Sequence, residues 1–288
     1  MRPVSIIGCG YTGIRLAQQL VGRGAAVQAY ATRAASLAAI AGVGAGAATL
    51  DLDGAVAPLA LDARLAYYSV PPAPVGQTDT RLERCLAAIA GSPARLVYLS
   101  TTGVYGDHGG TSVDEDTPVN PQSARAARRV AAERTLIAWA DARGVSWCIL
   151  RIAGIYGPGR LPLERLHSGQ PVIAAAEAGP GNRIHVDDLV ASCIAAGEAP
   201  QADRRIYNVC DGGHDSMTSY LLRVARLAGL PEPPQLSRAA AKDSLPDSMW
   251  SFLAESRRVS NQRLVGELGV SLRYADLDDG IRASLAAG

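Results

Sequence analysis

Lysine is all but missing. Lys242 is the single one in a chain of 288 residues, so every other basic side chain is an arginine. Chemistry that needs an amine at a set spacing is confined to that one position. Cysteine is sparse too: Cys9, Cys85, Cys148, Cys193 and Cys210 are odd in number, widely scattered and form no C-x-x-C pair. That leaves no disulfide framework and no metal site of zinc-type spacing, and free thiols fit a reducing compartment. Neither sign of charge is in surplus. The 28 basic and 27 acidic residues leave a formal charge of +1, without the basic excess of a non-specific nucleic-acid binder or an acidic tail. Long apolar runs do not occur either. The opening run reaches Gly8 too soon for the core of a secretion signal. The alanine- and glycine-rich residues 38–50 are too short and too weakly apolar to span a bilayer. No internal repeat and no Gly/Ser- or Pro-rich linker interrupts the chain. The expectation is a cytoplasmic protein with a small-molecule substrate, no nucleic acid and no membrane.

What is there is globular material. Hydrophobic residues make up 48% and charged residues 19%, enough for a packed core in one large domain or two modest ones. Val4–Ile7 is a short apolar run of strand type ending at Gly8. Ile14, Ala17, Leu20 and Val21 then recur at helical spacing until Gly22 and Gly24. Further strands are expected over residues 25–30, 65–70, 95–100 and 145–151. Helices are expected around 37–40, 82–89 and 123–143, the last stopped by Gly144. This alternation implies right-handed crossovers and a parallel sheet covered on both faces. Between Gly154 and Pro171 glycine and proline crowd the chain, marking a smaller lobe that grows from the carboxyl edge of the sheet. Residues 183–186, with a helix from Asp187, and Arg205–Val209 are expected to return to the sheet. The division that follows is a main domain over 1–155 and 184–212, and a substrate lobe over 156–183 and 213–288.

Gly8-Cys9-Gly10-Tyr11-Thr12-Gly13 is G-x-G-x-x-G between the first strand and the first helix. Gly8 permits the tight turn, Gly10 lets a diphosphate approach the backbone, and Gly13 lets helix pack on strand. The helix amino end, at Tyr11 and Thr12, offers unpaired N–H groups and a positive dipole end to phosphate. A glycine-rich turn without a ligand is the plain alternative; the strand–loop–helix context argues for a dinucleotide. The second strand ends Tyr30-Ala31-Thr32-Arg33 without the carboxylate that would hold a ribose 2′-hydroxyl. Thr32 and Arg33 offer a hydroxyl and a guanidinium fork suited to a 2′-phosphate, so NADP(H) is favoured over NAD(H). The bland reading of Arg33 is a solvated surface charge.

Five segments, in order, resemble the atypical and extended short-chain dehydrogenase/reductases, the NAD-dependent epimerase/dehydratase group. They are the Gly8–Gly13 loop, Ser100-Thr101-Thr102-Gly103-Val104-Tyr105-Gly106, Arg151-Ile152-Ala153-Gly154-Ile155-Tyr156-Gly157-Pro158-Gly159, Arg183-Ile184-His185-Val186-Asp187-Asp188 and Ile206-Tyr207-Asn208-Val209. The resemblance implies an α/β fold of Rossmann type: a doubly wound parallel sheet of about seven strands with a small C-terminal substrate lobe. It also implies a nicotinamide cofactor. Carried over residue by residue, Thr101 matches the Ser/Thr that hydrogen-bonds the reacting carbonyl or hydroxyl. Leu52, between Asp51 and Asp53, falls where the family contacts adenine. Val70, Pro71 and Pro72 fall beneath the cofactor, and Tyr156, Gly157 and Pro158 match a loop near the nicotinamide. His185 and Asp187 resemble a structural turn and a helix cap. A homodimer formed by helix pairing is also in keeping with the superfamily.

The likeness breaks at the family's Tyr-x-x-x-Lys, in which the lysine lowers the tyrosine's pKa. Lys242 is preceded four places earlier by Arg238. Aligning Pro121 and Glu133 with the family's helix puts Arg125 at the tyrosine position and Arg129 at the lysine position. Arg129 keeps the charge and donors to hold a ribose, whereas the Arg125 guanidinium is no general acid. With Arg128 and Arg134, Arg125 is instead a candidate for an anionic-substrate site. The proton must then be moved by another group: Tyr105, Asp107, His108 or Tyr156. Residues 160–180 and 231–250 are expected to shape the substrate pocket. The leading expectation is an NADP(H)-dependent oxidoreductase acting on a small carbonyl, alcohol or sugar-like substrate. A dinucleotide-binding redox sensor with little turnover is the reading from a different class, and a nucleotide-sugar epimerase or dehydratase is the third.

Overall fold

A computed structural model describes residues 1–244, 250, 253 and 255–288. Seven strands make the central sheet: β1 (Val4–Ile7), β2 (Val27–Ala31), β3 (Gly46–Thr49), β4 (Leu65–Tyr68), β5 (Arg95–Thr101), β6 (Trp147–Ile152) and β7 (Arg205–Val209). They are all parallel and run in the order β7-β6-β5-β4-β1-β2-β3. Val4-Ser5-Ile6-Ile7 and Leu65-Ala66-Tyr67-Tyr68 are buried along their whole length, as strands covered on both faces must be. Edge strand β3, by contrast, is largely exposed.

Alternate strand residues feed two separate cores. On one face Val4, Ile6, Val97, Leu150 and Tyr207 meet Leu16 and Leu20 of helix α1 (Tyr11–Gly22), Ile40 of α2 (Ala34–Gly42) and Leu189 and Cys193 of α5 (Val186–Glu198). On the other, Ile7, Ala66, Tyr98 and Ile149 meet Leu82 and Leu86 of α3 (Thr80–Ala88) and Leu136 of α4 (Ala124–Asp141). Leu20 is fully buried; its truncation to alanine would cost about 2–5 kcal/mol. The expected fold class, a doubly wound α/β sheet of seven strands, is the one observed. Among the described residues no helix is long and apolar enough to cross a membrane, and all five cysteines are buried and free.

Two expectations are corrected. Residues 183–186 do not rejoin the sheet: Arg183–His185 pairs with Gly154–Tyr156 as a separate two-stranded parallel ladder. The chain peels away after β6, where Ala153 N–H still reaches the Val209 carbonyl but Gly154 N–H turns to the Asn182 carbonyl. The cap of α5 is His185 and not Asp187, because the His185 Nδ1 accepts the Asp187 amide at 3.2 Å. Beyond this ladder a third core gathers Tyr156, Leu166 and Val172 with Tyr220 and Val224 of α6 (Met217–Ala228) and Leu277 and Ile281 of α7 (Leu277–Ala286). Leu264, Leu268 and Val270 return to the first core beneath the sheet.

Because β2 and β3 lie to one side of β1, and β4 to β7 to the other, a crevice opens at the carboxyl ends of β1 and β4. That reversal of strand order is where open α/β sheets bind ligands.

Candidate active site

The glycine loop lies in this crevice, and its three glycines have three different reasons. A Cβ on Gly8, at φ +86°, would lie 2.6 Å from Val70 Cγ2, so the loop is pressed against the end of β4. A Cβ on Gly13 would sit 3.1 Å from Cys9 Sγ and 3.3 Å from Ile6 Cγ2, which sets how closely α1 packs on β1. A Cβ on Gly10 would meet no other part of the protein within 4 Å, so the space there is open to a ligand. Gly10 also precedes α1 without any side-chain cap, so the first amides of a 12-residue helix have no side-chain acceptor. Cys9 packs as a buried small residue, and burial pushes its thiol up to about 12.

A cavity of about 270 Å³ adjoins the loop, lined by Gly8, Gly10, Thr32, Arg33, Leu52, Val70 and Pro71 of the expected cofactor residues. It also takes in Asp51 and Asp53, the neighbours of Leu52 in the segment expected near adenine, and Ser36 and Arg81, which pattern reading missed. Asp53 and Arg81 neutralise each other through paired contacts of 2.6 and 2.7 Å. Arg33 precedes α2, whose amino end is likewise without a side-chain cap, leaving a guanidinium and free amides together. Tyr11, Thr12, Gly13 and Pro72 line neither cavity. Tyr11 instead donates to the Pro158 carbonyl at 3.0 Å, tying the glycine loop to the turn beyond β6. An uncapped helix, an open Gly10 and a cavity flanked by Thr32 and Arg33 fit the adenosine half and diphosphate of a dinucleotide.

A second cavity, of about 620 Å³, opens at the end of β5 between the sheet and the smaller lobe. Thr101 stands there, its hydroxyl accepting the Gly103 amide at 3.2 Å and capping the short turn Thr102–Tyr105. Arg125, Arg160, Arg165, Arg183 and Arg257 line the same cavity, against Glu255 as the one carboxylate among the described lining residues. Burial pulls Arg125, Arg165 and Arg183 below the usual guanidinium range without taking their charge. Tyr156, expected near the nicotinamide, lines this cavity and not the one beside the glycine loop; its hydroxyl is buried without a partner, and burial raises its pKa.

The other candidates fall outside. Tyr105 is fully buried: its hydroxyl donates to Asn208 Oδ1 at 2.8 Å and accepts from Arg151 Nη1 at 3.0 Å, and it lines neither cavity. It belongs to an interior network in which the Glu133 carboxylate takes Arg151 (3.2 and 2.8 Å) and Ser100 Oγ (2.5 Å). Arg129 donates to Tyr98 Oη at 2.9 Å and the Leu99 carbonyl at 3.1 Å, and also lines neither cavity. Arg128 is buried against the Gly76 carbonyl and Arg134 is exposed; neither joins Arg125 in the cavity.

Asp107 and His108 hold a strap. The Ser256 amide donates to Asp107 Oδ1 at 2.7 Å and keeps that carboxyl below its ordinary range, while His108 N–H reaches the Ser256 carbonyl at 3.0 Å. Arg257 reaches the Gly106 carbonyl at 2.5 Å and Glu255 at 2.8 Å, and Asn182 grips the strap through the Arg257 carbonyl and Val259 amide. Glu255 and Arg257 are thereby fixed beside the turn that follows Thr101. Residues 160–180 line the cavity as expected, but of residues 231–250 none that is described does so, and 245–249 lie outside the described residues. Leu253, Glu255 and Arg257 take that place.

The model of the NAD dependent epimerase/dehydratase family matches residues 6–210. The chain belongs to this family. Protein YeeZ of Escherichia coli strain K12 is 30% identical over 294 residues, covering 96% of this chain and 97% of the relative. The 3-diazoavenalumate denitrifying reductase of a Streptomyces species is 29% identical over 206 residues, 68% of this chain and 66% of that protein. A solved structure of a functionally unknown conserved protein from Silicibacter pomeroyi matches with a TM-score of 0.79 and 32% identity over 99% of both chains. Membership in this NAD-dependent family agrees with a glycine loop shaped for a dinucleotide.

Proposed function

We propose that this member of the family is an NADP(H)-dependent oxidoreductase acting on a small carbonyl or alcohol that carries an anionic group. The observation that carries the reading is the pairing of sites at the carboxyl ends of the strands: an uncapped glycine loop, and an arginine-lined cavity with Thr101 on its wall. A bound nicotinamide supplies or accepts hydride. Thr101 would hydrogen-bond the reacting oxygen, and Arg125, which falls at the tyrosine position when Pro121 and Glu133 are matched to the family's helix, would offset charge developing on it. Glu255 is our candidate for handing over or taking up the proton, in place of Tyr105, Asp107 and His108. The preference for NADP(H) rests on Thr32 and Arg33 at the amino end of α2, with no carboxylate at the end of β2. The Streptomyces relative, named as a reductase, supports hydride transfer with net use of cofactor.

Calorimetry with NADPH and NADH tests cofactor and preference together, and a panel of anionic carbonyl compounds followed by NADPH absorbance tests turnover. Tight NADPH binding with consumption of free NADPH is expected. Product formed from a nucleotide sugar without net change in cofactor would move the protein to the epimerase and dehydratase side. Binding without turnover across the panel would leave a sensor.

A further inference from the structure

Arg160 stands apart from the other arginines on the large cavity. Arg165 donates to the Pro171 carbonyl at 3.3 Å, and Arg183 to the carbonyls of Asp215 and Ser216 at 2.6 and 3.1 Å. Arg257 is taken by Gly106 and Glu255, and Arg125 is engaged as well. Among the described residues, the exposed Arg160 guanidinium meets no acceptor and no carboxylate. Its contact is the face of Tyr11, 4.2 Å from Cζ to the ring centroid.

That stack fixes where its donors sit. Tyr11 is the first residue of α1, so its ring stands at the positive end of the helix. The turn carrying Arg160 is closed by its own amide on the Gly157 carbonyl at 2.9 Å and is tied to Tyr11 through the Pro158 carbonyl. A Cβ on Gly157 would come within 2.7 Å of the Tyr11 hydroxyl, so only glycine allows this approach. Arg15 lies on the same ring at 4.0 Å, but it donates to the carbonyls of Tyr11 (3.2 Å) and Pro158 (3.5 Å). The glycine loop itself carries no cation, yet a diphosphate brings two negative charges. A guanidinium held flat on an aromatic ring is ordered in advance while its N–H fork stays available.

We propose that Arg160, on the wall of the large cavity and stacked at the amino end of α1, is an anion clamp, taking a phosphate oxygen of the dinucleotide's diphosphate while the α1 amides take others. The inference rests on the dinucleotide reading above. The same fork would suit an anionic group on the substrate, so the test separates the two sources.

Calorimetry would compare the parent, Arg160→Gln and Arg160→Lys with NADPH, with adenosine 2′,5′-bisphosphate, which lacks the diphosphate bridge, and with UDP as an anionic probe of the large cavity. Arg160→Gln should weaken NADPH about tenfold, flatten its salt dependence, and leave adenosine 2′,5′-bisphosphate unchanged. Arg160→Lys should restore part of the loss. Unchanged melting temperatures would show that both variants fold. Tight and equal NADPH binding by parent and Arg160→Gln would overturn the clamp and leave the dinucleotide reading standing. Weakened UDP binding with NADPH untouched would also overturn it, giving Arg160 to the substrate. A parent that binds no nicotinamide dinucleotide would remove both.

Discussion

Gly8 and Val70 approach more closely than any side chain on Gly8 would allow, with Val70 N only 2.8 Å from where a Cβ would be. Gly10, two residues on, is the opposite case, having an ordinary φ of −106° and open space around it. The two glycines therefore separate folding from binding. Gly8→Ala should cost about 2 kcal/mol or more, through the clash and its positive φ, and abolish NADPH binding. Gly10→Ala should melt within about 0.5 kcal/mol of the parent, yet weaken NADPH at least about tenfold, since its methyl occupies the approach of the diphosphate. Melting curves with and without NADPH read both effects. A Gly10→Ala protein that binds NADPH like its parent would show that the diphosphate does not use this loop.

On the proposed function, Arg33 sets the choice of cofactor. Reversing its charge places a carboxylate where a 2′-phosphate would lie, and a carboxylate there suits a ribose hydroxyl. Arg33→Glu should weaken NADPH by about tenfold or more, the size of one charge-assisted hydrogen bond lost, and should spare NADH. Titration of both cofactors against parent and variant reads the difference. Equal losses would leave Arg33 as a surface charge.

The Glu133–Arg151 pair is a matter of folding. Both side chains are almost completely buried, and Arg151 also holds the Tyr105 hydroxyl. Glu133→Ala leaves a buried guanidinium without its partner and should cost about 3–5 kcal/mol. Replacing Glu133 and Arg151 together by methionine should recover much of that loss. A Glu133→Ala variant with the parent's denaturation midpoint would show that Arg151 finds another acceptor.

Local patterns made the sheet and the cofactor loop legible. The buried runs at Val4–Ile7 and Leu65–Tyr68 and the three glycines each declare themselves within a few residues, whereas Thr101 is singled out by the family resemblance alone and would otherwise read as a β-branched strand end. What was illegible depends on contacts between distant segments. Glu255 and Arg257 reach the cavity because Arg258–Val259 pairs with Ser112–Val113, a register that no neighbouring residue encodes. Tyr105 looks like a site residue along the chain; only the meeting of β6 and β7 supplies the Arg151 and Asn208 that enclose its hydroxyl. The Arg183–His185 segment has the composition of a sheet strand, and the choice between two possible ladders lies in the turn at Ala153 and Gly154.

Asp211, just beyond β7, sets a pH dependence of its own. Its side chain is 8% exposed, and burial raises its carboxyl from 3.8 to about 7, although it accepts the Gly213 amide at 2.9 Å and lies near Arg183. Between those two pH values the folded protein binds the proton that the unfolded chain has released. The stability it contributes is therefore full below about pH 4 and is lost as pH rises through about 7, by at most about 4 kcal/mol. His185 and His214 work the other way, since burial lowers both, and their contributions are lost as pH falls. Comparison with Asp211→Asn isolates the aspartate, because a carboxamide oxygen can still accept the Gly213 amide. From pH 5 to pH 8 the parent's urea midpoint should fall relative to that of Asp211→Asn, and the variant should be the more stable at pH 8. Parallel curves across that range would mean that Asp211 titrates alike in the folded and unfolded chains.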